Sequence, residues 1–152
     1  MIQTAQTVPD DRIHLDTQFG AFDADARALV SFPVGLPGFE ECRQFAVLYS
    51  ANAAPLQCLH AVSGPPASFL ALDPRLVLPE YRCALGAADR VRLAVGDDVT
   101  GLLWLALLTV TEKGQAFANL RAPIVINPAT MIGYQVMPQD SVYPLRHPVA
   151  VR

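Results

Sequence analysis

The sequence predicts an all-β protein, a small antiparallel β-barrel or sandwich carrying one or two short helical turns. Three observations lead there. Prolines, 13 in 152 residues, are spread along the whole chain and leave little room for long helices. Between them lie short runs rich in β-branched and aromatic residues, recurring about every ten residues as in sandwiches and barrels. Several of these runs alternate apolar and polar residues, the period-two pattern of a half-buried strand.

The first run, RIHLDT (12–17), sets Ile13 and Leu15 on one face and Arg12, His14 and Asp16 on the other. Residues 1–11, which precede it, are polar and read as a flexible N-terminus, leaving 12–152 as one β domain. Phe19-Gly20 turns the chain into GAFDA (20–24), and ALVSF (28–32) follows. Then comes SFPVGLPGFEE (31–41). Here Pro33 and Pro37 preset φ, while Gly35 and Gly38 permit turns closed to other residues, so the stretch forms a stiff corner. In one reading the corner tucks Phe32, Leu36 and Phe39 against the barrel, with Phe32 and Phe39 as core and Glu40 and Glu41 at the surface. In the other it presents Leu36, Phe39 and Glu40 to a partner. GFEECR (38–43) also has room for a single helical turn.

QFAVLY (44–49), LQCLHAV (56–62) and SFLALD (68–73) read as strands, punctuated by Gly64-Pro65-Pro66 and Asp73-Pro74. LGAADR (85–90) offers a second helical turn, VRLAV (91–95) a strand, and Gly96-Asp97-Asp98 a turn. LLWLALLTV (102–110) and QAFANL (115–120) are joined by TEKGQ (111–115), a hairpin loop in which Gly114 supplies a positive φ. In APIVIN (122–127), Pro123 stands where a strand tolerates proline, at its start, and Ile124-Val125-Ile126 is apolar on both faces, as for a strand covered on both sides. Asn127-Pro128 leads to IGYQVM (132–137). The prolines of DSVYPLRHP (140–148) hold it extended. It either docks on the chain's own barrel or offers Tyr143 and Arg146, residue types favoured in interface hot spots.

Composition narrows the function. Net charge is −3, with 11 basic residues against 14 acidic and no basic cluster, which argues against direct nucleic-acid binding. Cys42, Cys58 and Cys83 are too few and too widely spaced for a disulfide framework or zinc site. The N-terminus lacks a signal-peptide pattern, and the longest apolar run, 101–110, is about half a membrane span, so a cytoplasmic protein without membrane contact is expected. His14, His60 and His147 fall at no metal-ligand spacing, and neither phosphate-cradling glycine loops nor a nucleophile elbow is present. His14 reads as solvated and His60 as a hydrogen-bonded core residue. Cys58 with His60 is a conceivable nucleophile pair, and Asp97-Asp98 reads as an exposed turn. No catalytic residue, metal or cofactor is assigned.

Four stretches taken in order carry a resemblance: FPVGLPGFE from Phe32, Leu72-Asp73-Pro74 with Pro79-Glu80-Tyr81, NLRAPIVIN (119–127) and DSVYPLRHP. Over about residues 12–149 the chain resembles the flagellar assembly factor FliW family. Residues 82–101 carry no motif of it. The resemblance implies a small β-barrel-like bacterial protein of the cytoplasm, without catalytic activity, that binds flagellin before export and also binds the translational regulator CsrA. Flagellin would occupy the protein when abundant and free CsrA to repress; once flagellin is secreted, the protein would sequester CsrA. The motif positions Phe32, Pro33, Gly35, Leu36, Pro37, Gly38, Phe39, Asp73, Pro74, Ala122, Pro123, Ile124, Asn127 and Pro144 are expected to be structural. Glu40, Glu41, Asp140, Tyr143 and Arg146 are the expected partner contacts, the acidic ones facing a basic regulator. The rival reading is a small β-barrel enzyme or ligand carrier using His60, Cys58 or Tyr143 in a polar cavity.

Overall fold

A computed structural model describes residues 12–150. The expectation of a flexible stretch at 1–11 lies outside the described residues. Eleven strands follow one another: β1 (Arg12–Thr17), β2 (Gly20–Asp25), β3 (Val30–Ser31), β4 (Gln44–Tyr49), β5 (Gln57–Ala61), β6 (Ser68–Leu72), β7 (Leu103–Val110), β8 (Ala116–Ala118), β9 (Ile124–Asn127), β10 (Ile132–Gln135) and β11 (His147–Val149). One short helix, α1 (Ala87–Arg92), lies between β6 and β7.

Strands β3 to β7, β10 and β9 form a seven-stranded barrel, closed where β9 pairs with β7. β7 makes this possible by forking. One of its edges pairs with β6, while the other takes β9 along Leu103–Leu105 and β8 along Leu108–Val110. β11 then adds to β8 outside the barrel. β1 and β2 form a separate hairpin, with His14 opposite Asp23 and Leu15 opposite Phe22.

Period-two alternation fills the interior from every wall. Phe32, Phe45, Leu59, Ala71, Leu105, Ile124 and Ile126 pack there, and Phe32 meets Phe45 edge-on at 5.0 Å between ring centroids. Outward-facing residues are largely covered too. The hairpin lays Ile13, Leu15 and Phe22 over Ala46, Leu48 and Cys58. The connection after β6 places Leu85, Leu93 and Leu102 over Val125 and Val136. Tyr81, Leu120, Tyr143 and Val149 cover Ala106 and Ala118. Barrel wall with a cover outside it explains why Ile124, Val125 and Ile126 are all buried. The stretch 82–101, which carries no family motif, serves as one of these covers. Asn127 pins it: its Nδ2 donates to Leu93 O at 2.7 Å, while its Oδ1 accepts from Ala129 N at 3.0 Å.

Three local expectations are corrected. VRLAV (91–95) is no strand; its first two residues finish α1, and Val91 is 79% exposed. GFEECR (38–43) forms turns and a bridge, not a helical turn. The end of DSVYPLRHP contains an unforeseen edge strand, β11, in which Pro148 stands opposite Phe117.

Candidate functional site

The proline-glycine corner is built by two successive turns. Gly35 N donates to Phe32 O at 2.9 Å with Gly35 at φ +66°. Leu36 and Phe39 then exchange backbone hydrogen bonds of 3.4 and 2.7 Å around Pro37-Gly38, with Gly38 at φ +84°, the arrangement of a type II turn. Glu40 folds its carboxylate back onto Gly38 N at 3.0 Å, and that backbone hydrogen bond holds its pKa below the ordinary glutamate range. Arg43 Nε donates to Glu40 O at 2.7 Å, and the buried Cys42 thiol donates to Pro65 O at 3.3 Å, so the corner is tied to the 62–67 loop. Phe32 and Leu36 are buried as expected. Phe39 is corrected: it is 38% exposed, its ring edge-on to Phe69 at 5.1 Å, which places it at the rim rather than in the core.

Beside this corner lies a groove of about 390 Å³ lined by Pro37, Leu107, Ala122, Met137, Pro138 and Leu145, with Asn119, Arg121 and Gln135 between them. Its polar side chains are spent on the scaffold. Asn119 Oδ1 accepts from Arg121 N and Ala122 N at 3.1 and 3.0 Å. Arg121 Nε donates to Tyr143 O at 2.8 Å, and Gln135 Nε2 to Ala122 O at 2.9 Å. Three of the apolar members are left to solvent: Pro37, Met137 at 57% and Leu145 at 55% exposure. Such a surface, with satisfied polar groups and an adaptable methionine, suits the apolar side chains of another chain. Pro37, Asn119 to Ala122 and Leu145 come from three of the four stretches that carry the resemblance.

The expected contacts divide. Glu40, Glu41 and Asp140 are exposed. Tyr143 is engaged internally: its ring lies 4.5 Å from that of Tyr81, and its hydroxyl accepts from Arg82 N at 2.9 Å. Arg146 sits over the Phe117 ring at 4.2 Å, a cation–π contact rather than an ion pair. Among the described residues no hydrogen bond or ion pair joins these five to one another. Met137, Leu145 and Leu107 were missed as groove residues. The available signal was an apolar residue continuing past the last strand position of IGYQVM, and a leucine between Pro144 and Arg146.

The motif positions have traceable structural work. Asp73 caps the turn Pro74–Leu76 by accepting from Arg75 N at 2.9 Å, with Pro74 buried. Ala122, Pro123, Ile124 and Asn127 are buried around β9, and Pro144 O accepts from Leu120 N at 3.2 Å.

Among the described residues no hydrogen bond joins Cys58, His60 and Tyr143, the residues of the rival enzymatic reading, directly to one another. His60 Nδ1 lies 2.6 Å from Ser68 Oγ, and burial lowers its pKa. Burial raises that of Cys58, which disfavours its thiolate. His14 is solvated between Asp23 and Asp16, each at 3.1 Å, and the hydrogen bond to Asp23 foremost raises its pKa. Among the described residues no group of three His, Cys, Asp or Glu side chains is placed to hold a metal ion, and no helix is long and apolar enough to cross a membrane.

Known proteins of the same kind are readily found. The sequence matches the family described as FliW protein across residues 14–149. Flagellar assembly factor FliW of Desulfovibrio desulfuricans is 37% identical over 132 residues, which cover 85% of this chain and 79% of that protein. The factor of the same name from Syntrophotalea carbinolica is 34% identical, covering 88% of this chain and 94% of that one. A crystal structure of the flagellar assembly factor FliW superposes with a TM-score of 0.78 at 28% identity, over 90% of this chain and 96% of the other. In sequence and in fold, the chain belongs to the FliW family.

Proposed function

We propose that the protein is a non-enzymatic flagellar assembly factor of the cytoplasm that binds flagellin in a chaperone-like way and antagonises CsrA by partner switching. The observation that carries this reading is the groove. Stretches far apart in sequence, three of them part of the family resemblance, meet to leave Pro37, Met137 and Leu145 exposed over a scaffold whose polar side chains are satisfied. Apolar exposure of this kind serves binding rather than bond chemistry. In this reading flagellin occupies the groove, and CsrA, a basic RNA-binding protein, meets the acidic residues Glu40, Glu41 and Asp140 on a chain of net charge −3.

Calorimetric titration with flagellin and with CsrA from the same organism, separately and in competition, tests the proposal. Saturable binding to flagellin that weakens the CsrA complex is expected. Met137→Glu and Leu145→Glu, both at exposed positions, should weaken flagellin binding by about tenfold or more while leaving the melting temperature unchanged. A folded sample that gives no heat with either partner would sink the proposal.

A further inference from the structure

A second cleft shares no lining residue with the groove. It encloses about 280 Å³ between the stretch Tyr81–Cys83 and the stretch Val99–Trp104. Its floor is apolar and largely buried, with Tyr81, Leu102 and the half-buried indole of Trp104. Its rim carries the exposed residues Arg75, Arg82 and Thr100.

The rim's charges are unevenly spent. Arg75 gives Nε to Asp73 at 3.3 Å, and its terminal nitrogens make no further hydrogen bond among the described residues. Arg82 is fixed through its backbone, whose N–H donates to Tyr143 Oη, but its guanidinium makes no hydrogen bond or ion pair among the described residues. The nearby Asp98 carboxylate is already taken by the N–H and hydroxyl of Thr100, at 3.0 and 2.6 Å. On the opposite wall the Cys83 thiol has its pKa raised, first by burial and then by the carboxylates of Asp89 and Asp140.

We propose that this cleft is a docking site for an acidic peptide segment of a partner protein, which seats one aromatic or large apolar side chain against Trp104 and places flanking carboxylates on Arg82 and Arg75. At about 280 Å³ the cleft lies at the lower edge of the range of about 300–1,000 Å³ usual for small-molecule sites, and it accommodates a single side chain. Composition agrees, since tryptophan, tyrosine and arginine are the residues that dominate protein-binding hot spots. The guanidinium plane is also matched to a carboxylate through paired N–H donors.

Trp104 is the only tryptophan, 1 in the whole chain, so no other indole contributes to the fluorescence read at this cleft. The probe is an acetylated and amidated peptide of sequence Glu-Asp-Phe-Glu-Asp, titrated to about 1 mM, compared with Gln-Asn-Phe-Gln-Asn and with inorganic phosphate. A saturable change is expected with the acidic peptide only. Arg82→Glu should abolish it, and Arg82→Gln and Arg75→Gln should each weaken it by about tenfold, with denaturation midpoints close to that of the parent protein. The inference is overturned if the acidic peptide gives no saturable change, if the neutral peptide binds equally well, or if the Arg82 variants bind as the parent does. It is overturned equally if phosphate alone saturates the signal, because the site would then be one for small anions.

Discussion

At Gly35 a missing side chain decides the shape of the corner. A Cβ there would lie 2.6 Å from Phe39 O and 2.7 Å from Glu40 Cα, in a backbone already at φ +66°. A Cβ at Gly38, in the next turn at φ +84°, would meet nothing within 4 Å. Gly38→Ala should therefore cost only the left-handed conformation, about 1–2 kcal/mol. Gly35→Ala should cost that and a further ~1–3 kcal/mol for displaced backbone, read as a lower urea midpoint with an unchanged slope. Equal costs at the two sites would show that the corner is looser than described. Single residues were also where the sequence was least legible. That Tyr143 turns its hydroxyl to Arg82 N and Arg146 lies over Phe117 depends on which strand happens to be beside them. Residue type marked both as capable of anchoring something; only the topology fixes what.

Among the elements, strands were legible wherever burial imposed a period of two. QFAVLY and RIHLDT match β4 and β1 residue for residue, because one face of each must enter a core. VRLAV misled because five residues with Val91, Leu93 and Val95 spaced by two fit a strand as well as a helix end. The usual stop signal was also absent. Ala94 adopts φ +58°, and the bonds Val95 N to Arg90 O at 2.9 Å and Ala94 N to Val91 O at 3.1 Å close the turn after α1, at a place where glycine is usual. Ala94→Gly should consequently stabilise the protein by about 1 kcal/mol, the relief of the left-handed cost less the entropy glycine adds to the unfolded chain. A raised urea midpoint checks it; a lowered one would mean that the turn carries no strain. β11 was unforeseeable for a different reason. Its pairing with β8 is purely tertiary, and its central proline removes the local signal.

On the scale of the whole molecule, the barrel depends on a central aromatic pair. Phe32 is fully buried against Phe45, and Gly133 lets it approach: a Cβ at Gly133 would lie 2.7 Å from the Phe32 ring. Phe32→Ala should cost about 3–5 kcal/mol, enough to bring a domain of ordinary stability close to unfolding, as thermal denaturation would show. A small loss would mean that the barrel collapses into the space. The groove belongs to this scale as well. Pro37, Leu107, Met137 and Leu145 meet only because the barrel closes, which is why no local pattern announced them. That closure has a consequence for how the protein is made. β3 pairs in parallel with β10, Ser31 lying opposite Ile132, so a strand near the beginning finds its partner near the end. A ribosome adding about 5–20 residues each second needs roughly 5–20 s to deliver β10 after β3 has emerged. Throughout that interval the inner faces of β3 to β6, with Phe32 and Phe45 among them, have no far wall. The hazard in this protein's life therefore falls during synthesis, before the barrel exists.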